Sequence, residues 1–300
     1  MKNFIEYFYN IKIDKLIHEN KYYSFKYNSY TYKLYNYYND TNIEHLIDIN
    51  RKMLNNTLVS EIIINKDGNA ISRYNNNDYI LLKIFINPFK EITLNEINFL
   101  SKSLYKENLN INWGILWEKK IDYLENLINE NGKKYPLIVD SFNYFVGLAE
   151  NAISYYNKIQ IDTNYQYVIS HKQIKIKDTI EQLYNPFNII FDYKVRDIAE
   201  YIKISFFKNN FNIFNELNIY LKNNFLSLTD IKLLISRILY PSFYFDLYED
   251  ILIDEKEENI IISIINKLSD YENYLSSIIE YFKNKYNIEE ILWLKKEDYR

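Results

Sequence analysis

The fold is decided at residues 79–88, which read Tyr79-Ile80-Leu81-Leu82-Lys83-Ile84-Phe85-Ile86-Asn87-Pro88. This apolar, β-branched run predicts a buried strand, and Asn87-Pro88 ends it because proline restricts the residue before it. Before this stretch the sequence mixes strand and helix patterns, whereas after it almost every pattern is helical. We therefore predict a small α+β part at residues 1–87 and a larger helical part at residues 88–300.

On the N-terminal side of this strand, the patterns predict two helices and two paired strands. Apolar residues recur at helical spacing over roughly the first twenty residues, which predicts a helix. Aromatic and polar residues alternate over residues 22–38, which predicts two strands with a turn at Asn28-Ser29. Asp40 or Thr41 is placed to cap a helix that ends near residue 55.

Two further signals lie between that helix and the deciding strand. Asp67-Gly68 separates the β-prone runs 59–65 and 70–74, and an Asp-Gly pair in this setting predicts a hairpin. Asn75-Asn76-Asn77 is interpreted as loop without special meaning. Asn, Ile, Lys and Tyr all have A/T-rich codons, so an A/T-rich genome enriches them without any selection for function.

On the C-terminal side, the sequence predicts a series of helices with a few short strands. Thr93-Leu94-Asn95-Glu96 is a capping box for a helix that runs to about residue 106. Ser227 to Asp230 caps a later helix, and Pro241 separates that helix from the next one. The other predicted elements are helices at 113–131 and 140–158, strands at 165–170 and 188–191, and about five helices from Arg196 onward.

This order of elements is the layout of kinase-like folds. Such folds combine a small antiparallel lobe, a single connecting strand and a helical lobe that holds a β-hairpin. Since element order restricts topology without fixing it, the pattern alone leaves other two-lobed α+β folds open.

The composition of the 300 residues excludes several classes of protein. The chain is 48% hydrophobic with 32 Tyr and 18 Phe, so it can bury enough surface to fold. It has no cysteine, which excludes disulfides, thiolate metal sites and a cysteine nucleophile. Its histidines, His18, His45 and His171, are scattered, so we expect no histidine-built zinc site.

The charge and hydropathy patterns limit the partners. The formal net charge is −4, and Lys and Glu are interleaved without a basic block, so we expect no nucleic-acid partner. The longest mostly apolar runs, 79–86 and 260–265, are far shorter than the about 20 residues of a membrane span. The N-terminus lacks a secretory apolar core. We expect a soluble, cytoplasmic protein that does not bind membranes.

Carboxylates remain as candidates for chemistry after the common motifs are excluded. The sequence has no Gly-x-x-x-x-Gly-Lys-Ser/Thr, Gly-x-Gly-x-x-Gly or Gly-x-Ser-x-Gly motif, which excludes P-loop, Rossmann and α/β-hydrolase sites. Asp192 directly follows an apolar strand run, where a carboxylate can reach Mg²⁺ bound to phosphates. Two interpretations stay open: Asp192 is a metal ligand, or it is an ordinary turn residue, as Asp197 is an ordinary N-cap.

Four segments of the helical part resemble one known family. They are residues 116–123 (LWEKKIDY), 143–155 (NYFVGLAENAISY), 196–203 (RDIAEYIK) and 236–249 (SRILYPSFYFDLYE). Together they resemble the YutH/CotS-like spore-coat kinase-like proteins, which are relatives of the aminoglycoside phosphotransferases. The resemblance implies a two-lobed, protein-kinase-like α+β fold with a small antiparallel β lobe and a large helical lobe.

The resemblance also implies where a catalytic loop and a metal site would lie. Phosphotransferases of this fold have a His-Gly-Asp type loop, and Ser170 to Gln173 occupies its place. His171 matches the loop histidine and is expected to be structural. Gln173 stands in place of the catalytic Asp, and an amide cannot act as a general base. Asp192 matches the metal-binding Asp, and Asp178 is the remaining candidate for a second metal ligand.

The nucleotide-binding residues of the small lobe are expected by the same resemblance. A kinase needs a lysine on its third strand that pairs with a helix carboxylate and holds the nucleotide phosphates. Lys33 and Glu44 are the candidates by their order in the chain. Residues 20–40 contain no glycine, although a loop that covers phosphates needs close backbone approach.

Two functions follow from the resemblance. The first is a kinase-like, catalytically impaired protein (a pseudokinase) with a structural or interaction role among spore-coat proteins. The second is a small-molecule phosphotransferase of the aminoglycoside phosphotransferase type that uses ATP and Mg²⁺ through Asp192, with a non-standard base. If the protein has a cofactor, the resemblance implies ATP and Mg²⁺.

Overall fold

The structure is a computed structural model of the chain, and it describes residues 1–19, 22–37, 43–54, 60–85, 91–101, 104–105, 110–175, 178–254 and 257–294. The chain divides into two compact units. Unit 1 comprises Met1–Ser103, His171–Gln173 and Lys177–Ile190, and unit 2 comprises Leu104–Ser170, Ile174–Ile176 and Phe191–Arg300. The predicted boundary at residue 87 and the predicted cap at Asp40 or Thr41 lie outside the described residues.

The predicted helices and strands occur in the predicted order, together with a few short elements that were not predicted. The helices are α1 (Lys2–Tyr9), α2 (Ile43–Leu54), α3 (Leu94–Ser101), α4 (Trp113–Asn131), α5 (Pro136–Asn157), α6 (Ile180–Leu183), α7 (Arg196–Phe207), α8 (Ile213–Asn223), α9 (Leu228–Leu239), α10 (Ser242–Asp254), α11 (Ile262–Ile265) and α12 (Leu268–Lys283). The strands are β1 (Ile17–Glu19), β2 (Tyr22–Tyr27), β3 (Tyr30–Tyr37), β4 (Glu61–Ile63), β5 (Ile71–Tyr74), β6 (Asn77–Ile84), β7 (Leu104–Tyr105), β8 (Tyr167–His171) and β9 (Ile189–Asp192).

Unit 1 is built on an antiparallel sheet in which β6 is central. The strand order is β1-β2-β3-β6-β4, and β5 also pairs with β6. One face, with Leu34 and Leu81, packs with Phe4 and Ile5 of α1, and the other face, with Ile80 and Leu82, packs with Leu46 of α2. Because both faces of β6 are covered, its apolar residues run continuously instead of alternating with polar ones.

Two tight turns of the sheet have left-handed backbone at both central residues. Asn28 and Ser29 have φ of 47° and 67° and join β2 to β3, as predicted. Asn75 and Asn76 have φ of 48° and 61° and join β5 to β6. Turns with this geometry match the right-handed twist of a hairpin. The loop predicted at Asn75-Asn76-Asn77 is therefore a hairpin turn, and asparagine tolerates the left-handed backbone of Asn75 and Asn76.

The prediction of a hairpin at Asp67-Gly68 was wrong. The flanking strands β4 and β5 each pair with β6 and not with each other. The turn itself is real: the Asn65 side chain accepts hydrogen bonds from the backbone N–H groups of Asp67 and Asn69 at 3.0 Å each. Gly68 has φ of 81°, which glycine adopts without strain. The local signal identified the turn and not the strand partner.

Other predicted boundaries shift as well. The first helix ends at Tyr9, where Asn10 adopts φ of 54°, although buried Ile11 and Ile13 continue the apolar pattern beyond it. Helix α3 ends at Ser101, earlier than predicted. Helix α7 begins at Arg196, so Asp197 lies buried in its first turn and is not the N-cap.

Unit 2 is mainly helical, with α5 packed against α4 and α9, and α9 packed against α7. The capping box at Ser227 and Asp230 is present, and α9 ends just before Pro241, as predicted. Aromatic pairs fill the core: Phe145 stacks on Tyr244 with ring centroids 3.6 Å apart, and Trp117 stacks on Tyr240 at 4.5 Å. No helix in the described part of the chain is both long and apolar enough to cross a membrane.

Candidate functional site

The predicted catalytic loop is Ser170 to Gln173. Ser170 and His171 are the last two residues of β8, and His171 to Gln173 belong to unit 1. His171 is almost fully buried, and its Nε2 lies 2.6 Å from the carbonyl oxygen of Leu183. Asn188 holds the loop: its Oδ1 accepts from the Gln173 N–H at 3.2 Å, and its Nδ2 donates to the Gln173 carbonyl at 2.9 Å. The environment of His171 is that of a structural histidine.

At the position predicted for the catalytic base, the side chain is the partly buried amide of Gln173. An amide has no proton-accepting group with a useful pKa, so this loop offers no general base at residue 173. Asp178, the candidate second metal ligand, is also partly buried. Its role in binding a metal ion stays a prediction.

Lys33 lies on β3, the third strand along the chain, and its carboxylate partner is not the predicted one. Its Nζ lies 2.6 Å from Oε1 of Glu181 on α6, and both side chains are almost closed to solvent. Lys33 also donates to the Tyr22 hydroxyl at 2.8 Å. Glu44, on the first turn of α2, is exposed. We call Lys33, Tyr22 and Glu181 the Lys33 cluster.

The Lys33 cluster is electrostatically balanced. Burial disfavours the charged form of Lys33, but the hydrogen bonds and charge of Glu181 and Tyr22 outweigh it and hold the pKa of Lys33 above its ordinary value. The ammonium group is therefore charged at neutral pH, and its charge is neutralised by a residue of the same chain.

Asp192 lies at the end of β9, as predicted, and both oxygens of its carboxylate accept hydrogen bonds. Oδ1 accepts from Nε1 of Trp113 at 2.9 Å and from the N–H of Tyr193 at 2.7 Å. Oδ2 accepts from the guanidinium of Arg196 at 2.5 Å. The Asp192 side chain is only 4% exposed, so its oxygens face donors of unit 2 and not solvent.

Asp192 is not arranged to hold a magnesium ion. A magnesium site needs carboxylate oxygens that are open toward the ion, whereas Asp192 already accepts three hydrogen bonds within unit 2. Lys33 has a carboxylate partner, Glu181, as a kinase lysine requires, and its side chain is almost closed to solvent. Among the described residues, no group of three or more His, Cys, Asp or Glu side chains is placed to hold a metal ion.

A second buried charge cluster in unit 2 escaped the sequence reasoning. Oε1 of Glu200 accepts from Lys203 at 3.0 Å and from Arg237 at 2.6 Å, while its Oε2 accepts from Ser242 at 2.8 Å. All four are buried, and the guanidinium of Arg237 lies 5.2 Å from the ring centroid of Trp113. We call Glu200, Lys203, Arg237 and Ser242 the Glu200 network.

The available signal for the Glu200 network was the resemblance itself. Glu200 and Lys203 belong to the segment 196–203, and Arg237 and Ser242 belong to the segment 236–249. Two of the four matching segments therefore meet in one buried cluster. Periodicity could not identify it, because charged residues on helices are read as solvent-facing.

The sheet of unit 1 and the helices of unit 2 define the class of protein: a kinase fold of the aminoglycoside phosphotransferase type. The structure aligns with an aminoglycoside phosphotransferase from Alicyclobacillus acidocaldarius at a TM-score of 0.66 and 7% identity, covering 95% of this chain and 96% of that one. It aligns with the spectinomycin phosphotransferase APH(9)-Ia, in complex with ADP and spectinomycin, at a TM-score of 0.59 and 13% identity, covering 92% of each chain. These likenesses establish the fold, and they confirm the predicted fold class.

Residues 2–281 match the family described as "Spore coat putative kinase YutH", and the chain belongs to this family. A relative is the endospore coat-associated protein YutH of Bacillus subtilis (strain 168), which is 27% identical over 209 residues. That alignment covers 61% of this chain and 61% of the relative, so the chain spans less than two thirds of the relative's length. The predicted resemblance is thereby confirmed.

Proposed function

We propose that this chain is a kinase-like protein without phosphotransfer activity that acts through contacts with other spore-coat proteins. The observation that carries the proposal is the closed environment of Asp192, whose carboxylate is bound by Trp113, Tyr193 and Arg196. A metal ion would have to displace the Arg196 guanidinium from Oδ2 of Asp192, and phosphoryl transfer in this fold depends on such an ion.

Two features of the sequence support the same conclusion. Gln173 stands where a general base is required, and loss of a base typically costs ~10²–10⁴ in rate. Residues 20–40 contain no glycine for a loop that covers phosphates. The place of action in the spore coat is inferred from the family and from the coat-associated relative in Bacillus subtilis.

The second candidate function is an ATP- and Mg²⁺-dependent small-molecule phosphotransferase. It is favoured by the likeness to the spectinomycin phosphotransferase, which has been seen with ADP and its antibiotic bound. In this case Asp192 would hold Mg²⁺ once Arg196 moved away from it, and the base would be a residue other than Gln173.

Release of ADP from Mg-ATP by the purified full chain distinguishes the two functions. We expect wild type, Asp192→Asn and Gln173→Asp to give the same background rate. The variant Q173D is the more informative of the two, because it restores a carboxylate at the position of the base while Asp192 stays bound to Arg196.

The proposal is overturned by either of two results. One is ADP release by wild type that D192N lowers by about 100-fold, in the range for loss of an essential group, with unchanged melting temperature. The other is ATP turnover by Q173D, since that would require Asp192 to be open to a metal ion. Intrinsic fluorescence melting of each variant is the folding control, because Trp113 contacts Asp192 directly.

A further inference from the structure

A groove of about 660 Å³ lies between helices α4 and α5 of unit 2. The two helices form a helical hairpin, because they pack against each other and only residues 132–135 connect them. The floor of the groove is apolar, with buried Ile121 and Ile153 and half-buried Val146. Exposed polar side chains form its rim, among them Glu118, Asp122, Glu125, Glu150 and Lys158. An apolar floor inside a polar rim is the usual anatomy of a protein-binding surface.

The charge of the rim is strongly one-sided. Four carboxylates line the groove against one cation, Lys158. Within the part of the chain that the structure describes, none of these four carboxylates forms an ion pair. Lys120, a cation of the same helix α4, pairs with Glu249 of α10 instead. The negative charge of the rim is therefore open to a ligand from outside the chain.

The carboxylates of α4 are spaced so that they repel one another. Glu118 and Asp122 are four residues apart, and Asp122 and Glu125 are three residues apart, so all three lie on one face of the helix. Like charges at these spacings destabilise a helix. The three side chains are exposed, so packing does not require them. A costly arrangement that packing does not explain is typical of a surface that serves binding.

The distribution of the charges restricts the kind of partner. In the described ranges, no three acidic side chains converge closely enough to hold a metal ion. Glu118, Asp122 and Glu125 are instead spread along about 10 Å of helix axis. A nucleic acid would be repelled by this rim. A second copy of the chain does not supply the complement either, because its net charge is −4 and its lysines form no basic block.

We propose that the groove between α4 and α5 binds an α-helical segment of another protein, with lysine or arginine on one edge and apolar side chains toward the floor. This inference rests on the proposed function and deepens it, since it gives the surface and the chemistry of the contact. Cations at positions i, i+4 and i+7 of the segment repeat the spacing of Glu118, Asp122 and Glu125, so each cation can meet one carboxylate. From Val146 to Lys158 the groove follows about 18 Å of α5, or three turns of a helix.

The test is the affinity of the full chain for a fluorescently labelled synthetic peptide, measured by anisotropy. The peptide is a helix of about four turns, with lysine at positions i, i+4 and i+7 and leucine and alanine on the face between them. We expect wild type to bind it. The variant E118Q/D122N should bind it roughly threefold to thirtyfold more weakly, as for loss of two charge pairs at an exposed rim. Thermal melting verifies that the variant is folded, and removal of the repulsion on α4 should not lower its melting temperature.

The matched control is the variant E130Q/D140N. Glu130 on α4 and Asp140 on α5 are exposed carboxylates of the same two helices, but neither lines the groove. This variant loses the same charge as E118Q/D122N, and its affinity for the peptide should equal that of wild type. A second peptide, with glutamine in place of each leucine, keeps the lysines and tests the apolar floor. Glutamine retains helix propensity, so weaker binding of this peptide reports the loss of apolar contact.

Four results overturn the inference. The first is no binding of the leucine peptide by wild type. The second is an equal loss of affinity in E118Q/D122N and E130Q/D140N, which indicates general attraction to an acidic chain. The third is equal affinity for the leucine and glutamine peptides, with displacement of both by spermine, which indicates a site for polycations. The fourth is self-association of wild type in sedimentation velocity that E118Q/D122N abolishes, which assigns the groove to a second copy.

The outcomes also separate this inference from the proposed function. The residues Gln173, Asp178 and Asp192, which were predicted for phosphotransfer, do not line the groove. None of the four results above therefore affects the absence of turnover. Conversely, ADP release by wild type overturns the proposed function, whatever the affinity of the groove for the peptide.

Discussion

Glu200 is a buried carboxylate between two buried cations, and its contribution to the stability of the fold depends on the whole Glu200 network. Burial raises its pKa, but the charges of Lys203 and Arg237 outweigh burial and lower it to about 2. Burial has the opposite consequence for Lys203, whose pKa is lowered. Every oxygen of Glu200 has a donor, so the network is satisfied only while all of its members remain.

We predict that Glu200→Gln destabilises the chain by about 3–5 kcal/mol, because the buried cations Lys203 and Arg237 would lose the carboxylate to which both donate hydrogen bonds. Lys203→Met is the matched variant, and it should cost less, since Glu200 keeps Arg237 and Ser242. Urea unfolding followed by tryptophan fluorescence measures both, and Trp113 lies beside Arg237. Equal losses of unfolding free energy in E200Q and K203M would contradict the central role of Glu200 in the Glu200 network.

The difference in unfolding free energy between wild type and E200Q should also depend on pH, in a direction set by the pKa of Glu200. The pKa of Glu200 in the folded chain lies below its ordinary value of 4.5. A depressed carboxyl pKa stabilises the folded state above the ordinary value and loses that contribution as the pH falls through the folded value. The difference in unfolding free energy between wild type and E200Q should therefore be full above pH 4.5 and shrink as the pH falls toward about 2.

At the scale of elements, the sheet of unit 1 depends on two-residue turns made without glycine. Ser29 has φ of 67°, a region that L-residues other than Asn and Asp enter at a cost. Asn28, Asn75 and Asn76, the other residues of these two turns, are of the type that tolerates this region best. Ser29 is therefore the weakest position of the two turns.

We predict that Ser29→Gly stabilises the chain by about 1 kcal/mol, because glycine adopts this backbone without strain. Thr31→Gly is the control, since Thr31 lies two residues along the chain within β3 and pairs with Lys26 and Ile84. Glycine inside a strand costs about 0.5–1 kcal/mol, so the two substitutions should have opposite signs. Thermal melting followed by circular dichroism measures both changes in stability. A change of the same sign for Ser29→Gly and Thr31→Gly would refute the backbone strain at Ser29.

Local patterns predicted most elements because their causes are local. The alternation over residues 22–38 and the capping box at Ser227 depend on neighbours a few residues away, and both were confirmed. The pairing of β4 and β5 with β6, and of Lys33 with Glu181, joins residues that are distant in the chain. No periodicity carries such information, so the partner of Lys33 could not be predicted from the order of elements.

At the scale of the whole molecule, the two units share strands. The division between units falls between Ser170 and His171 inside β8, and between Ile190 and Phe191 inside β9. The chain therefore passes from one unit to the other within elements of regular structure and not through linkers alone. Because each of these two strands continues across the boundary, we expect the two parts of each strand to fold together.

We predict a single cooperative unfolding transition for the full chain. Trp113, Trp117 and Trp293 all lie in unit 2, so tryptophan fluorescence reports on that unit, whereas circular dichroism reports on both. The two signals should give coincident transitions in urea, which is the standard test of two-state behaviour. A fluorescence midpoint that differs from the circular dichroism midpoint would show that the units unfold separately.

The pairing of Asp192 with Arg196 also changes how the folded chain depends on its surroundings. Proteins that bind a ligand only when folded gain stability in proportion to the logarithm of its concentration. Here the buried aspartate carries its own counter-charge, with both side chains nearly closed to solvent. The stability of the folded chain should therefore be the same in a cell rich in nucleotide and magnesium as in a cell that has exhausted them.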